Sequence, residues 1–275
     1  MLSRVTNSII IAQGILFVFA VMSLAGGSAV WRHAAIGAPF FPEPPSPAAW
    51  VTSRAESRSN RTPKAGERPV RVTPQFQNLP SHVFLEVPFV PQAPFGDWSQ
   101  PYKDACEETS VAMAMAWVRS QESLDPSKAN EEILGQAAYE LFNFGYHRDT
   151  DLAQTLKLFT RYYGYSGVSA VYDITIPDIK SELASGNLVI LPVAGALLPN
   201  PYYASPPPYH MVVVIGFDDT AGEFIVNDPG TRRGQNYRYA FTTLWNAIHD
   251  WTGSEDTLLE GAKGMIVVWP EGRRP

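Results

Sequence analysis

The chain has 275 residues, of which 45% are hydrophobic and 12% aromatic, which suffices for one substantial hydrophobic core. Its formal net charge of -6 provides no basic field for phosphate backbones and argues against a nucleic-acid partner. The sequence contains one cysteine, so an intramolecular disulfide and a cysteine-based zinc cluster are excluded, and the thiol is either buried and inert or reactive.

The first 30 residues predict an export signal. Residues Ile9 to Val30 carry no charge and are long enough to cross a bilayer, which takes about 20 residues. Small residues at 25–29 also suit a cleavage region, so an uncleaved signal anchor and a signal peptide both stay open. We therefore expect the rest of the chain outside the cytoplasmic membrane, either anchored or secreted. Residues 31–82 are rich in proline and serine and predict a disordered stalk.

A folded domain is predicted over residues 83–275, and it opens with a short strand at 85–90. A helix is expected to begin at Asp104, because Glu107 follows three residues later at the capping-box spacing. This helix should run to about Arg119. Its body has no charged face, so we predict that it is buried nearly all round.

The remaining elements are predicted from hydrophobic periodicity and turn residues. Helices are expected over 129–142, 152–163, 177–185 and 242–251, and strands over 168–172, 188–193, 209–217, 223–227 and 265–269. The third and fourth of these strands form a hairpin around a turn at 218–222. Because the helices mostly precede the strands, the pattern favours an α+β fold over a doubly wound parallel sheet.

Cys106 lies in the first turn of the predicted buried helix, where free backbone N–H groups and the helix dipole stabilise a thiolate. The alternative is a small buried apolar residue. Gln100 lies six residues earlier, and its amide is a candidate donor to a developing oxyanion. A solvated loop glutamine is the alternative there, and Gln92 is a weaker candidate for the same role.

His210 opens an apolar strand beside a proline-rich loop, where a partly exposed imidazole can move protons, although a packed core histidine is the alternative. If the hairpin turn is centred near Thr220, Asp228 lies opposite or diagonal to His210 on the same face, and Asn227 points to the other face. A register slip of one residue would exchange Asn227 and Asp228. The Asn-Asp-Pro-Gly sequence is equally consistent with a plain turn.

The order of these four candidates resembles the C39-like branch of papain-like cysteine peptidases, over roughly residues 83–270. The segments that carry the likeness are VPFVPQ at 87–92, CEETS at 106–110, YHMVVVIGFD at 209–218 and VNDPG at 226–230. The resemblance implies a papain-like fold, in which a buried N-terminal helix with the cysteine packs on an antiparallel sheet that carries the histidine and the aspartate. It also implies that Cys106 is the nucleophile, that His210 is the base and that Asp228 orients the base. Gln100 is then the implied oxyanion donor.

The implied activity is hydrolysis of peptide or amide bonds through a thioester acyl-enzyme, with no metal or organic cofactor. The expected substrate is a peptide or protein, with peptidoglycan peptides as one class of it, and the N-terminal segment is the expected membrane contact. Some relatives cut bacteriocin leaders during transport, but this sequence has no Walker-type GxxxxGK[ST] motif, so that role is not expected. Two alternative functions stay open: a non-catalytic papain-like binding module, and a cell-wall peptide amidase.

Overall fold

The computed structural model describes residues 79–273. The predicted span within residues 1–30 and almost all of the predicted stalk lie outside the described residues, so both stay predictions. Among residues 79–273, no helix is both long enough and apolar enough to cross a membrane.

Five α-helices are found in the described part of the chain: α1 Cys106–Val118, α2 Pro126–Phe144, α3 Leu152–Lys157, α4 Ile176–Ala184 and α5 Phe241–Ala247. Short 3-10 turns lie at Tyr102–Asp104, Gly195–Leu197 and Glu255–Glu260, and a π-helical turn at Leu158–Tyr162 continues α3. Local sequence sets two of the helix starts. Asp125 caps α2 ahead of its first-turn proline, and Asp151 forms a capping box with Gln154 at the start of α3.

Within residues 79–273, seven strands form one sheet in which every pairing is antiparallel. They are β1 His82–Phe84, β2 Val168–Tyr172, β3 Leu188–Ala194, β4 Tyr209–Asp218, β5 Glu223–Asn227, β6 Tyr237–Ala240 and β7 Gly264–Val268. Their order is β2-β7-β3-β4-β5-β6, and β1 pairs with the end of β4 nearest the hairpin turn. The architecture is therefore α+β with an antiparallel sheet, as the sequence predicted.

Side chains of β4 alternate between two hydrophobic clusters on opposite faces of the sheet. Met211 and Val213 face a cluster that includes most of α1. Val212 and Val214 face a second cluster, to which α4 and α5 contribute. The sheet is thus covered by helices on both faces, and β4 lies at its centre.

Helix α1 is buried at every residue except Trp117, which confirms the prediction from its uncharged body. The predicted capping box, however, is wrong. The helix begins at Cys106 rather than at Asp104, and its N-cap residue Ala105 offers no side-chain hydrogen bond. Asp104 belongs to the preceding 3-10 turn, and the Glu107 carboxylate is bound to other partners, described below.

Other boundaries also differ from the sequence predictions, and the helix expected over 129–142 is longer, since α2 spans Pro126–Phe144. The strand expected at 85–90 is replaced by β1, because Pro88 in that segment lacks the N–H that a strand ladder needs. The last helix ends at Ala247, where Ile248 turns to an extended conformation and pairs with Val193. Strand β6 was not predicted at all.

A β-bulge in β4 sets which residue of the hairpin faces His210. The pairing of β4 with β5 skips Ile215, so beyond the bulge Val213 lies opposite Asn227. An unbroken ladder would shift this pairing by one residue and would put Asn227 on the face of His210. The bulge therefore turns Asp228, the next residue, to that face.

Candidate active site

The imidazole of His210 is hydrogen-bonded to the carboxylate of Asp228, with 2.8 Å between Nε2 and Oδ1. The two residues lie diagonally across the β4–β5 hairpin on one face, as the sequence predicted. Asn227 points away, where its amide donates to the Val87 carbonyl and its side-chain oxygen accepts from the Asn236 N–H. Both members of the pair are buried, and His210 is only 1% exposed rather than partly exposed.

One cleft of about 920 Å³ is lined by both Cys106 and His210. Its walls come from the segment before α1, the proline-rich loop before β4 and the turn after β5. The other lining residues are Gln92, Trp98, Gln100, Lys103, Asp104, Arg148, Asp149, Tyr202, Ala204, Ser205, Pro206, Pro207, Pro208, Tyr209, Gly230, Thr231, Arg232, Arg233 and Glu255. Three of the four candidates, namely Cys106, Gln100 and His210, thus share one cleft, and Asp228 lies behind His210.

Packing of α1 on β4 brings Cys106 and His210 to the same region. Ser110, one helical turn after Cys106, has its hydroxyl 3.4 Å from the carbonyl of Met211, the neighbour of His210 in β4. Because α1 starts at Cys106, the thiol lies at the end of the helix that opens on the cleft.

The Cys106 thiol is 3% exposed and donates a hydrogen bond to Glu107, with 3.0 Å between Sγ and Oε2. The other oxygen of Glu107 accepts from the Thr150 N–H at 2.8 Å. Burial raises the pKa of the Cys106 thiol well above its ordinary value, and the adjacent Glu107 charge raises it further. This direction is opposite to the one predicted from the helix start, and its main cause is burial, followed by the neighbouring Glu107 carboxylate.

Further buried carboxyl groups lie behind the cysteine. Burial raises the pKa of Glu107, and the charges of Glu108 and Asp149 add to the effect. Burial also raises the pKa of Glu108, and the charge of Glu140 raises it further. The pKa of Glu140 is raised to about 8, again mainly by burial. Raised pKa values favour the neutral forms of these buried carboxyls, so this part of the core holds fewer charges at neutral pH than its acidic residues suggest.

The two candidate glutamines both line the cleft but are held differently. Gln100 is exposed, and its amide donates to the Asp104 carboxylate at 2.5 Å. Gln92 is 4% exposed, and its amide donates to the backbone carbonyls of Tyr102–Lys103, at 2.8 and 2.9 Å. Gln92 therefore fixes the 3-10 turn that leads into Cys106. The amide of Gln100 lies at the cleft, with Asp104 rather than the sulfur as its partner.

The carboxylate of Asp228 accepts hydrogen bonds from more residues than His210 alone. Its Oδ2 accepts from the Tyr203 hydroxyl at 2.5 Å, the Tyr239 hydroxyl at 2.8 Å and the Asn200 amide at 3.1 Å. Its Oδ1 also accepts from the Gly230 N–H at 3.0 Å. We call Asn200, Tyr203 and Tyr239 the Asp228 cage. Sequence reasoning missed the cage, because these residues carry no motif and lie in a loop and in the unpredicted β6.

The cage keeps a fully buried carboxyl group ionised. Burial on its own would raise the pKa of Asp228. The charge of His210 and the hydrogen bonds from His210, Tyr203 and Tyr239 outweigh burial and lower the pKa below its ordinary value. With Nε2 held by this carboxylate, Nδ1 is the ring nitrogen left to exchange a proton within the cleft.

The model of the Peptidase_C39 like family matches residues 84–253, which is more than half of the chain. No curated protein matches. A solved structure described as a C39-like peptidase from Bacillus anthracis is similar at 16% identity and a TM-score of 0.44, over 70% of this chain and 99% of that one. Xylellain, a cysteine protease from Xylella fastidiosa, is similar at 14% identity and a TM-score of 0.44, over 71% of this chain and 88% of that one.

Proposed function

The chain belongs to the Peptidase_C39 like family, and on that premise we propose that it is a cysteine peptidase that hydrolyses peptide or amide bonds through a thioester acyl-enzyme. The observation that supports this most is the buried His210–Asp228 hydrogen bond behind the cleft that holds the chain's single cysteine. Nucleophilic catalysis by a thiol requires a base that a third group orients, and the His210–Asp228 pair supplies such a base in the cleft that Cys106 lines.

In the proposed mechanism, His210 takes the proton of the Cys106 thiol, and the resulting thiolate attacks the carbonyl carbon of the substrate. The tetrahedral intermediate collapses as the imidazolium returns the proton to the leaving amine, which leaves a thioester on Cys106. Water, deprotonated by His210, then attacks the thioester and releases the carboxylic acid and the free thiol. Asp228 holds the proton on Nε2 throughout and gives up none of its own.

In this mechanism, the protonation state of Glu107 controls whether the Cys106 thiolate forms. A thiolate at 3.0 Å from an ionised carboxylate is strongly disfavoured in a buried site. The raised pKa of Glu107 favours its neutral form, which is able to donate a hydrogen bond to the sulfur instead of repelling it. The thiolate–imidazolium pair is therefore formed with Glu107 protonated.

The developing oxyanion needs hydrogen-bond donors in the cleft. We assign this role to the backbone N–H of Cys106, in the unpaired first turn of α1, and to the amide of Gln100. Gln100 would have to leave its hydrogen bond with Asp104 to act. Gln92, whose amide is occupied by two backbone carbonyls, is the second choice.

The proposed substrate is a peptide or protein, and the proposed place of action is outside the cytoplasmic membrane. The location rests on the uncharged segment from Ile9 to Val30. Peptides of the cell wall are one accessible substrate class there, so the test below includes them.

The first test uses the single cysteine. One portion of the full chain and of its Cys106→Ala variant is treated with a fluorescent iodoacetamide near neutral pH. A second, unlabelled portion of each is incubated with a mixed peptide library and with purified peptidoglycan. We expect labelling and hydrolysis in the wild type, and neither in the variant. The substrate that is cleaved separates a peptidase from a cell-wall amidase.

Two outcomes would overturn the proposal. If the folded wild type is labelled but cleaves no substrate, the chain is a binding module. If the thiol is unreactive and Cys106→Ala costs several kcal/mol in urea unfolding, the cysteine is a core residue. Because only the sulfur is removed, we expect a cost of about 1 kcal/mol for this 3% exposed side chain.

A further inference from the structure

A proline-rich loop over residues 199–208 joins the 3-10 turn at Gly195–Leu197 to β4 and forms one wall of the cleft. Its outer part, from Tyr202 to Pro208, lines the space where a substrate would lie. Two of its residues, Asn200 and Tyr203, turn inward to the carboxylate of Asp228. The loop is thus attached to the proposed catalytic carboxylate.

The number of donors around Asp228 exceeds what one carboxylate usually accepts. A carboxylate has about four lone-pair sites, whereas five donors converge here, two on Oδ1 and three on Oδ2. The Asn200 amide also lies 3.0 Å from the Tyr239 hydroxyl, so the cage residues are linked to one another. A carboxylate held at both oxygens cannot turn away from His210.

The cage is also fitted to the imidazole itself. The ring of Tyr203 packs edge-on against the ring of His210, with 5.9 Å between centroids and 85° between planes. At Gly230, an added Cβ would lie 2.9 Å from His210 Cε1 and 3.1 Å from Tyr203 Cε1. Glycine at this position therefore leaves the two rings the space that they occupy.

We propose that Tyr203, Tyr239 and Asn200 are positioning residues, which hold Asp228 as a carboxylate directed at His210 and thereby keep the imidazole proton on Nε2. The proposal rests on the proposed function of Cys106 and His210 as nucleophile and base. It adds that the position of the loop that forms the cleft wall and the orientation of His210 are coupled, because both are hydrogen-bonded to Asp228.

The test compares Tyr203→Phe, Tyr239→Phe and the double variant with Tyr237→Phe as a matched control. Tyr237 lies in the same strand as Tyr239 and packs against its ring at 4.7 Å between centroids. Its hydroxyl is not among the donors to Asp228. Each substitution removes one hydroxyl and keeps the ring, so the control matches the change in chemistry.

The primary measurement is the rate at which iodoacetamide alkylates Cys106 between pH 4 and 9, read by mass spectrometry. The titratable groups bonded to Asp228 are His210 from β4, Tyr203 from the loop and Tyr239 from β6. Tyr237 from β6 makes no such bond, but the charge of Asp228 reaches it and contributes to its raised pKa, after burial and the neighbouring Tyr202. The tyrosine hydroxyls lower the pKa of Asp228, so their removal raises it and protonates Asp228 at a higher pH. We expect the acid limb of the profile to move to higher pH in both single variants, further in the double variant, and not in the control.

Two more measurements separate positioning from a purely structural role. The ¹⁵N chemical shifts of His210 should show the proton leaving Nε2 in the double variant, and on any cleaved peptide kcat should fall by about tenfold for each hydroxyl while KM stays unchanged. Alkylation profiles of the cage variants that superimpose on the wild type, with unchanged ¹⁵N shifts, would overturn the proposal. Failure of the proposed function gives a different result. The wild type would then cleave no peptide, although the alkylation profiles of the cage variants would still differ from that of the wild type.

Discussion

Replacing Asp228 by asparagine should cost far less activity than replacing it by alanine, because the structure dictates how the new amide lies. The donors on Oδ1 are the N–H groups of His210 and Gly230, and a backbone N–H cannot become an acceptor. The donors on Oδ2 include two tyrosine hydroxyls, which are able to rotate and accept. The amide nitrogen is therefore expected on the Oδ2 side, and the amide oxygen still accepts from His210.

The magnitude follows from the hydrogen bond that remains. In Asp228→Asn the hydrogen bond from His210 to residue 228 loses its charged acceptor. Its net free-energy contribution then falls from about 1.5–3 kcal/mol to about 0.5–1.5 kcal/mol. A difference of about 1.4 kcal/mol corresponds to about tenfold in kcat/KM. In Asp228→Ala no acceptor fixes the imidazole tautomer, and we expect a loss on the order of 10³-fold or more.

The assay is the hydrolysis rate of a peptide found in the library screen, normalised to the alkylatable Cys106 content. Asn227→Ala is the matched control, since Asn227 is the neighbouring buried residue that points the other way. It loses hydrogen bonds to Val87 and Asn236, which should cost about 2–4 kcal/mol in urea unfolding and leave kcat within about threefold. If Asp228→Asn is as inactive as Asp228→Ala, the reasoning on the amide orientation is refuted.

Carboxyl and amide groups around the cleft give three more expectations. Burial is the main cause of the raised pKa of Cys106, and Glu107→Gln removes the second cause, the Glu107 charge; the alkylation profile should therefore move to lower pH, and a profile that stays in place would contradict this. The pKa of Glu140 is raised from 4.5 to about 8, so stability in urea should fall as pH rises through that window, and Glu140→Gln should flatten the fall. Gln100→Ala should lower kcat about 100-fold without changing stability, whereas Gln92→Ala should mainly destabilise; the reverse pattern would make Gln92 the oxyanion donor.

Helices and strands with a clear hydrophobic period were predictable from the sequence. The strands at 168–172 and 223–227 are found at the predicted bounds, because alternation and turn residues are local signals. The start of α1 was not predictable in the same way. Glu107 has the capping-box spacing, but the sulfur next to it and the Thr150 N–H, 43 residues away, bind its carboxylate instead.

In the candidate site, too, features set by local sequence were predictable and features set by distant contacts were not. The turn residues predict a hairpin that brings His210 close to Asn227 and Asp228. Which of the two faces His210 is set by the bulge at Ile215, which the sequence did not predict. Their catalytic roles stay predictions. The cage could not be predicted, because Asn200 and Tyr203 belong to a loop whose composition is typical of a surface segment.

The bulge at Ile215 shows that one extra residue in β4 decides which side chain faces His210. Without it, Asn227 would face His210 and Asp228 would face the opposite cluster, where no cage of hydroxyls stabilises a buried charge. The bulge therefore determines more than a register, because it selects a charged rather than a neutral partner for His210.

The presence of a charged partner on His210 matters for the Cys106 thiol because of the balance of charges in the site. The pKa of Cys106 is raised by burial and by Glu107, so the site does not stabilise a thiolate by itself. In the proposed mechanism the thiolate is stabilised by the imidazolium of His210, and the imidazolium in turn by the ionised Asp228. If Glu107 also ionises, a buried site holds three negative groups against one positive group. The active form therefore requires an ionised Asp228 and a protonated Glu107, and the lowered pKa of the first and the raised pKa of the second open a pH window between them.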